Sequence, residues 1–169
     1  VNRMPAEIGQ KVGPGDEVRI NGEPVKIRFA EPKPRVLLYH KPAGELVTRD
    51  DPEERPTVFG MLPAISDGRW IAVGRLDYNT EGLLLFTNSG ELANRLMHPR
   101  YEVEREYAVR VMGRLAEEQV ETLLRGVELD DGPVRVDRFR VVTSAPGRSL
   151  VEVVLHEGRK HVVRRMLAA

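Results

Sequence analysis

A single carboxylate, that of Asp77, stands in a loop between two apolar segments, in the stretch GRLDYNTEGLLLFT at 74–87. The flanking glycines and Asn79 are typical of a loop. No Ser, Cys or His stands beside Asp77 as a catalytic partner. An aspartate held there by a rigid sheet can act as a nucleophile or a base. It can equally form a turn by bonding to its own backbone, so the local pattern leaves both roles open.

A second carboxylate, Glu81, follows Asp77 in the same loop and suggests a paired-acid site of the kind that hydrolyses sugars. Such a site needs a defined separation between its two acids, which a gap of four residues in a loop does not fix. The histidines, at positions 40, 98, 156 and 161, lack the spacing of metal ligands and are interpreted as ordinary polar residues. There is no glycine-rich phosphate loop either. The residues alone therefore indicate no metal ion or other cofactor.

The composition favours a globular protein of the cytosol. The 169 residues suffice for one domain of ordinary size, or for one domain with a small appendage, and 41% of them are hydrophobic. Cysteine is absent, which excludes disulfides and thiolate metal sites. There is neither an apolar run that could span a membrane nor the apolar block of a signal peptide at the start.

Charge is balanced overall but unevenly distributed, with 26 Lys and Arg against 26 Asp and Glu. Residues 114–137 hold seven acidic and three basic side chains, whereas residues 159–165 hold four basic side chains and no acidic one. This distribution predicts a basic patch and an acidic back. A basic patch beside a loop aspartate suits contact with a nucleic-acid backbone.

The first 35 residues read as short strands broken by turns. Residues 13–16 form one predicted turn, and Asn21-Gly22 predicts a β-hairpin. The proline-containing segment EPKPR at 31–35 is interpreted as a linker, and we place a domain boundary there.

The rest of the chain alternates between strand and helix patterns. Strands are expected over 35–41, 70–74, 83–87, 104–112, 134–142 and 149–156, and helices over 57–62, 90–97, 115–125 and 159–169. Thr57 and Ser89 are candidate N-caps, and Val120, Leu123 and Leu124 are expected to face inward. Strands outnumber helices, so the predicted fold class is α+β with a mainly antiparallel, mixed sheet and flanking short helices. By this pattern alone, Tyr39 and Tyr107 belong to the core.

Four segments, in this order along the chain, closely resemble the motifs of the bacterial ribosomal-RNA pseudouridine synthases of the RsuA/RluB type. They are YHKPAGELVTRDDPEERPTVFGMLP at 39–63, GRLDYNTEGLLLFTNSGELANRLMHP at 74–99, EREYAVRV at 104–111 and EGRKHVVRRM at 157–166. The residues of these motifs are most similar to those of the large-subunit (RluB) branch. Residues 1–32 resemble part of an S4-like RNA-binding segment with its linker, and 33–169 a catalytic domain of the pseudouridine synthase fold, truncated at its C-terminus.

The resemblance implies a role for each motif residue. Asp77 matches the catalytic nucleophile, Tyr107 the active-site tyrosine that packs on the target base, and Arg164 the basic residue that pairs with the aspartate. Arg75 matches a residue that helps to open the RNA around the flipped nucleotide. Phosphate contacts are expected for Lys41, Arg159, Lys160 and Arg165.

The two adjacent arginines of the last motif are expected to differ. Neighbours on a helix point about 100° apart, so Arg164 and Arg165 cannot both face one pocket. We expect Arg164 to turn inward and form a charge pair with Asp77 out of water, and Arg165 to lie nearer the surface.

The resemblance implies a monomeric, cytoplasmic isomerase that needs no cofactor, acts on ribosomal RNA (23S for this branch) and does not associate with membranes. Two alternatives remain from the residues themselves. One is a non-catalytic S4-type ribosome-associated RNA-binding protein, and the other a carboxylate-based hydrolase acting on sugars. The presence of Asp77, Tyr107 and Arg164 together favours the enzyme over the non-catalytic RNA-binding protein.

Overall fold

Two three-stranded antiparallel sheets, each with its own hydrophobic cluster, form the body of the protein in a computed structural model that describes residues 1–27 and 33–169. The strands are β1 (Val18–Ile20), β2 (Glu23–Val25), β3 (Val36–Lys41), β4 (Ile71–Val73), β5 (Gly82–Thr87), β6 (Arg105–Met112), β7 (Val127–Leu129), β8 (Gly132–Val134), β9 (Arg138–Ala145) and β10 (Arg148–Leu155). The helices are α1 (Gly90–Met97), α2 (Glu117–Arg125) and α3 (Val162–Ala168). None of the helices in the described residues has the length and apolar composition that a membrane span requires.

The first sheet has the order β3-β5-β4, and α1 packs against β4 and β5. β5 is buried unevenly: Leu84, Phe86 and Thr87 are buried, whereas Leu83 is 66% exposed. The face that carries Leu83 is therefore covered only toward the Thr87 end of the strand, where α1 packs against β4 and β5. Ser89 caps α1 as predicted, its side chain accepting a hydrogen bond from the Leu92 N–H.

The second sheet has the order β6-β10-β9, with α2 against β9. The predicted strand over 134–142 is wrong, since the chain changes pairing partner within it: β8 pairs with β7, and β9 pairs with β10. The apolar alternation continues through Val134 and Val136, both buried, and so conceals the break. All strand pairs in the described residues are antiparallel, and the one parallel contact is the isolated bridge between Leu46 and Thr57.

Local sequence signals predicted some turns and helix ends correctly and others wrongly. Asn21 and Gly22, with φ of 51° and 86°, make the predicted hairpin turn between β1 and β2. Residues 57–62 contain only a 3₁₀ turn, Val58–Met61, and the Thr57 side chain does not cap it. In α2, Leu124 is 39% exposed rather than inward. The domain boundary predicted at 31–35 falls partly on residues 31 and 32, which lie outside the described residues.

The last helix begins at Val162, later than the predicted residue 159. The cause is His161, whose φ of 53° puts it in the left-handed region and interrupts a helical path through the preceding residues. The side chains of this segment therefore leave the chain in directions that a continuous helix would not give.

Candidate active site

Asp77 lies in the loop that joins β4 to β5, two adjacent strands of the first sheet. The Thr80 N–H donates to the Asp77 carbonyl at 3.0 Å, which closes a turn with the main chain alone. Among the described residues, the carboxylate accepts no hydrogen bond from its own backbone, and its side chain is 39% exposed. The backbone alone therefore shapes the turn, and the side chain of Asp77 remains available for chemistry.

Two basic side chains from the end of the chain meet the two oxygens of this carboxylate. His161 Nε2 lies 3.3 Å from Asp77 Oδ1, and Arg164 Nε lies 4.0 Å from Asp77 Oδ2. Arg164 Nη2 also donates to Thr80 Oγ1 at 3.4 Å. Arg164 thus points toward Asp77, as expected. The expectation of a charge pair out of water is wrong, because the Arg164 side chain is 54% exposed.

His161 is the residue that sequence reasoning missed, since it was interpreted as an ordinary polar residue. It stands far from Asp77 in the sequence and takes a backbone conformation that no local pattern announces. One signal was present: His161 lies in the same motif as Arg164, three residues before it.

Lys41, predicted to contact phosphate, instead holds the Asp77 loop from beneath. Its side chain is fully buried, and Nζ donates to the carbonyls of Pro42 at 2.9 Å, Thr80 at 2.8 Å and Tyr78 at 3.4 Å. Burial lowers the pKa of this ammonium, an effect opposed by the negative charges of Glu45 and Asp77. The predicted phosphate contact is wrong for this structure, because water does not reach the ammonium and its donors are already used.

Tyr107 is half-buried on β6, on the face that also carries Val109 and Val111, as the alternation predicted. Burial raises the pKa of its hydroxyl, the positive charge of Arg105 opposes the rise, and the Asp77 carboxylate adds to it. Tyr107 therefore belongs to the second sheet yet senses the charge on the loop of the first. A half-buried neutral phenol suits contact with an aromatic base.

Tyr39 has a different role, in the core of the first sheet. Its ring packs edge-on against Phe86 with centroids 6.0 Å apart, and its hydroxyl donates to Glu45 Oε2 at 2.6 Å. Burial and this hydrogen bond raise the pKa of Tyr39 to about 12. The core assignment made from the sequence pattern is confirmed for Tyr39.

Arg159 and Arg165, predicted as phosphate contacts, are bound within the protein. Both pair with Asp131 at 2.9 Å, and the Arg165 side chain is only 30% exposed, less than that of Arg164. The expectation that Arg165 lies nearer the surface is therefore wrong. The predicted basic patch is also partly neutralised, since the acidic segment supplies its counter-ion. Lys160 and Arg75 are exposed, and their RNA contacts stay predictions.

The site thus combines one carboxylate, two basic side chains facing its two oxygens, and a neutral phenol from the other sheet. Among the described residues, no group of three His, Asp or Glu side chains is arranged to hold a metal ion. Glu81 is exposed and makes no hydrogen bond or ion pair with a described residue that would bring it toward Asp77. A lone oriented carboxylate suits a covalent nucleophile better than a pair of acids acting on water.

Proteins of similar sequence indicate the family of this chain. The family described as RNA pseudouridylate synthase matches residues 35–169. Proteins named ribosomal large subunit pseudouridine synthase B are 52% identical in Pseudomonas aeruginosa, over 98% of this chain and 44% of that protein, and 52% identical in Escherichia coli K12, over 97% and 57%. The chain therefore spans about half the length of these curated relatives.

The fold has a counterpart among solved structures. A crystal structure described as a pseudouridylate synthase has a TM-score of 0.72 at 24% identity, covering 94% of this chain and 66% of that one. This likeness supports the α+β architecture, and the family match covers both sheets and every residue around Asp77. The chain belongs to the RNA pseudouridylate synthase family.

Proposed function

We propose that the protein converts a uridine of 23S ribosomal RNA to pseudouridine, with Asp77 as the nucleophile. The observation that carries the proposal is the lone Asp77 carboxylate, faced by His161 and Arg164 and lying close enough to Tyr107 to affect its pKa. The choice of ribosomal RNA, and of its large-subunit species, rests on the names of the relatives.

The chemistry balances with one carboxylate and no external reagent. The Asp77 carboxylate forms a covalent bond with C1′ of the ribose as the bond from C1′ to N1 of uracil breaks. The detached base then rotates within the site. Carbon 5 then bonds to C1′ and displaces the carboxylate, the proton leaves C5, and N1 takes one up. Tyr107 is the candidate for moving the C5 proton. His161 and Arg164 orient the carboxylate.

Such an enzyme must reach a base that is stacked in RNA. Flipping a nucleotide out costs a few kcal/mol, which contacts to the surrounding strand have to repay. Exposed Arg75 and Lys160 are proposed to make these contacts. Residues 1–32 are proposed to add RNA affinity as part of an S4-like segment preceding the catalytic domain, 33–169. A cytoplasmic monomer fits a ribosomal-RNA substrate.

Asp77→Asn is the direct test, because asparagine keeps the shape of the side chain and removes its nucleophilicity. Pseudouridine formation on ribosomal RNA should be lost, while RNA binding stays close to that of the unchanged protein. Glu81→Gln is the matched control, since it removes a charge from the same loop away from the reacting carboxylate.

Three results would separate the alternatives. Conversion by Asp77→Asn at a comparable rate would end the nucleophile assignment. RNA binding without conversion by the unchanged protein would favour the non-catalytic RNA-binding alternative. Loss of activity in both variants, together with hydrolysis of a sugar substrate by the unchanged protein, would favour a paired-acid hydrolase.

A further inference from the structure

The turn between β7 and β8 carries an acidic residue, Asp131, that binds the final helix. Arg165 Nη1 and Nη2 donate to the two Asp131 oxygens, each at 2.9 Å, in the parallel two-bond geometry that suits a guanidinium and a carboxylate. The Arg165 hydrogen bond, supported by the nearby charge of Arg159, holds the pKa of Asp131 below its usual value. The α3 helix is therefore joined to the hairpin by a directional contact.

Arg159, at the start of the segment 159–165, binds the same turn as Arg165 does at its end. Its Nη1 donates to the carboxylate of Asp131 at 2.9 Å and to the carbonyls of Asp131 and Gly132 at 3.0 Å each. Its Nη2 donates to the carbonyl of Pro133 at 2.7 Å, and its Nε to Glu157 at 2.6 Å. Contacts with three successive carbonyls fix the guanidinium relative to the hairpin backbone, which an ordinary surface ion pair does not do.

The two residues that face Asp77 lie between these two anchors. His161 and Arg164 fall between Arg159 and Arg165 in the chain, and they reach across to the loop of the first sheet. Arg165 and Arg164 point about 100° apart on α3, so holding Arg165 on the hairpin sets the direction of Arg164. The left-handed backbone at His161 likewise depends on the hairpin, because the contacts of Arg159 fix the chain just before His161.

We propose that Asp131 is a positioning residue for the Asp77 site, acting through Arg159 and Arg165 to place His161 and Arg164 against the carboxylate. It touches neither Asp77 nor any group assigned to the reaction. The catalytic consequence rests on the proposed function, whereas the positioning of His161 does not.

Asp131→Asn tests the proposal in the intact 169-residue chain, with Asp130→Asn as the matched control. Asp130 is the adjacent carboxylate, is exposed, and makes no hydrogen bond or ion pair within the described residues. Asp131→Asn should lower the single-turnover rate at saturating enzyme about ten-fold or more. The dissociation constant for RNA should stay within about two-fold, because the lost contact orients the nucleophile rather than binding substrate. Asp130→Asn should change neither quantity.

A second measurement needs no activity. The imidazole nitrogen resonances of His161, followed by NMR in RNA-free protein, report its contact with Asp77. Asp131→Asn should shift them in the same direction as Asp77→Asn does, and Asp130→Asn should leave them unchanged. Arg165→Gln, which keeps the aliphatic stem and loses the paired donors, should repeat the result if Asp131→Asn fails to fold.

The outcomes are distinct. Unchanged His161 resonances in folded Asp131→Asn or Arg165→Gln would overturn the proposal. So would a loss of rate that Asp130→Asn shares to the same extent. A protein without pseudouridine activity in any form would refute the proposed function, and the His161 resonances would still decide whether Asp131 positions the site.

Discussion

The two sheets hold their parts of the site by different means. The loop that carries Asp77, in the first sheet, is bound through main-chain carbonyls to the buried ammonium of Lys41. The segment that carries His161 and Arg164, beside the second sheet, is bound by the partly exposed Arg159 and Arg165. Both form ion pairs with Asp131, and Arg159 also donates to carbonyls of the β7–β8 hairpin. Contacts of the first kind resist salt, whereas exposed ion pairs are screened by it. The loop of the proposed nucleophile is thus held more firmly than the groups proposed to orient it.

The cores behind these loops differ as well. The first is a small cluster in which Phe86 meets Tyr39 and Phe59 edge-on. The second is larger and mostly aliphatic, built on Val151, Val153 and Leu155 of β10. The two clusters share no buried member among the described residues. The candidate active site therefore lies where the two separately packed sheets meet, and its geometry depends on polar contacts between them.

Core truncation should have the largest effect on stability and should test this separation. Phe86→Ala and Leu155→Ala each remove a fully buried side chain, and each should lower the free energy of unfolding by about 3–4 kcal/mol. Trp70, the only tryptophan, belongs to the first cluster, so its fluorescence reports that half.

The difference between the two variants is the informative part. Phe86→Ala should shift the Trp70 transition in urea more than the transition of the far-UV circular dichroism signal. Leu155→Ala should do the reverse. Equal shifts of both signals in both variants would mean that the sheets unfold as one cooperative unit, which would contradict the comparison.

Replacement of Lys41 should have the next largest effect. Lys41→Met keeps the length of the side chain and leaves the carbonyls of Pro42 and Thr80 without their buried donor, at a cost of about 3 kcal/mol. Pseudouridine formation should fall with it, because the Asp77 loop loses its support. Lys160→Met, at an exposed site, is the control and should leave stability unchanged. A stable, fully active Lys41→Met protein would show that the loop is held by other contacts.

Alkaline pH should have the smallest of these effects, and Tyr39 should contribute to it from the first sheet. Folding raises the pKa of Tyr39 to about 12, whereas an unfolded tyrosine loses its proton near pH 10. The folded state therefore binds more protons between these values, and stability falls as the pH rises from about 10 to 12. The urea midpoint of the Trp70 fluorescence transition, measured at several pH values across this range, should fall less steeply in Tyr39→Phe than in the unchanged protein. An unchanged slope in that variant would assign the alkaline loss to other groups.

Sequence patterns were most successful where a few neighbouring residues decide the structure. The Asn21-Gly22 hairpin, the Ser89 cap and the alternation of β6 all depend on backbone preferences and burial within one element. The strand predicted over 134–142 failed because the apolar alternation is blind to a change of pairing partner. The predicted start of the final helix was wrong because no local sequence signal indicates the left-handed backbone of His161.

The sequence by itself determined that Asp77 stands in a loop between two strands and that the segment 159–165 is basic. Only the tertiary structure decided how those basic residues are used. Lys41 is buried beneath the loop, Arg159 and Arg165 are bound to Asp131, and His161 joins Arg164 at the carboxylate. Local propensity fixes where an element begins and ends. The partner of a charged side chain depends instead on which distant element folds next to it and how much water remains between them.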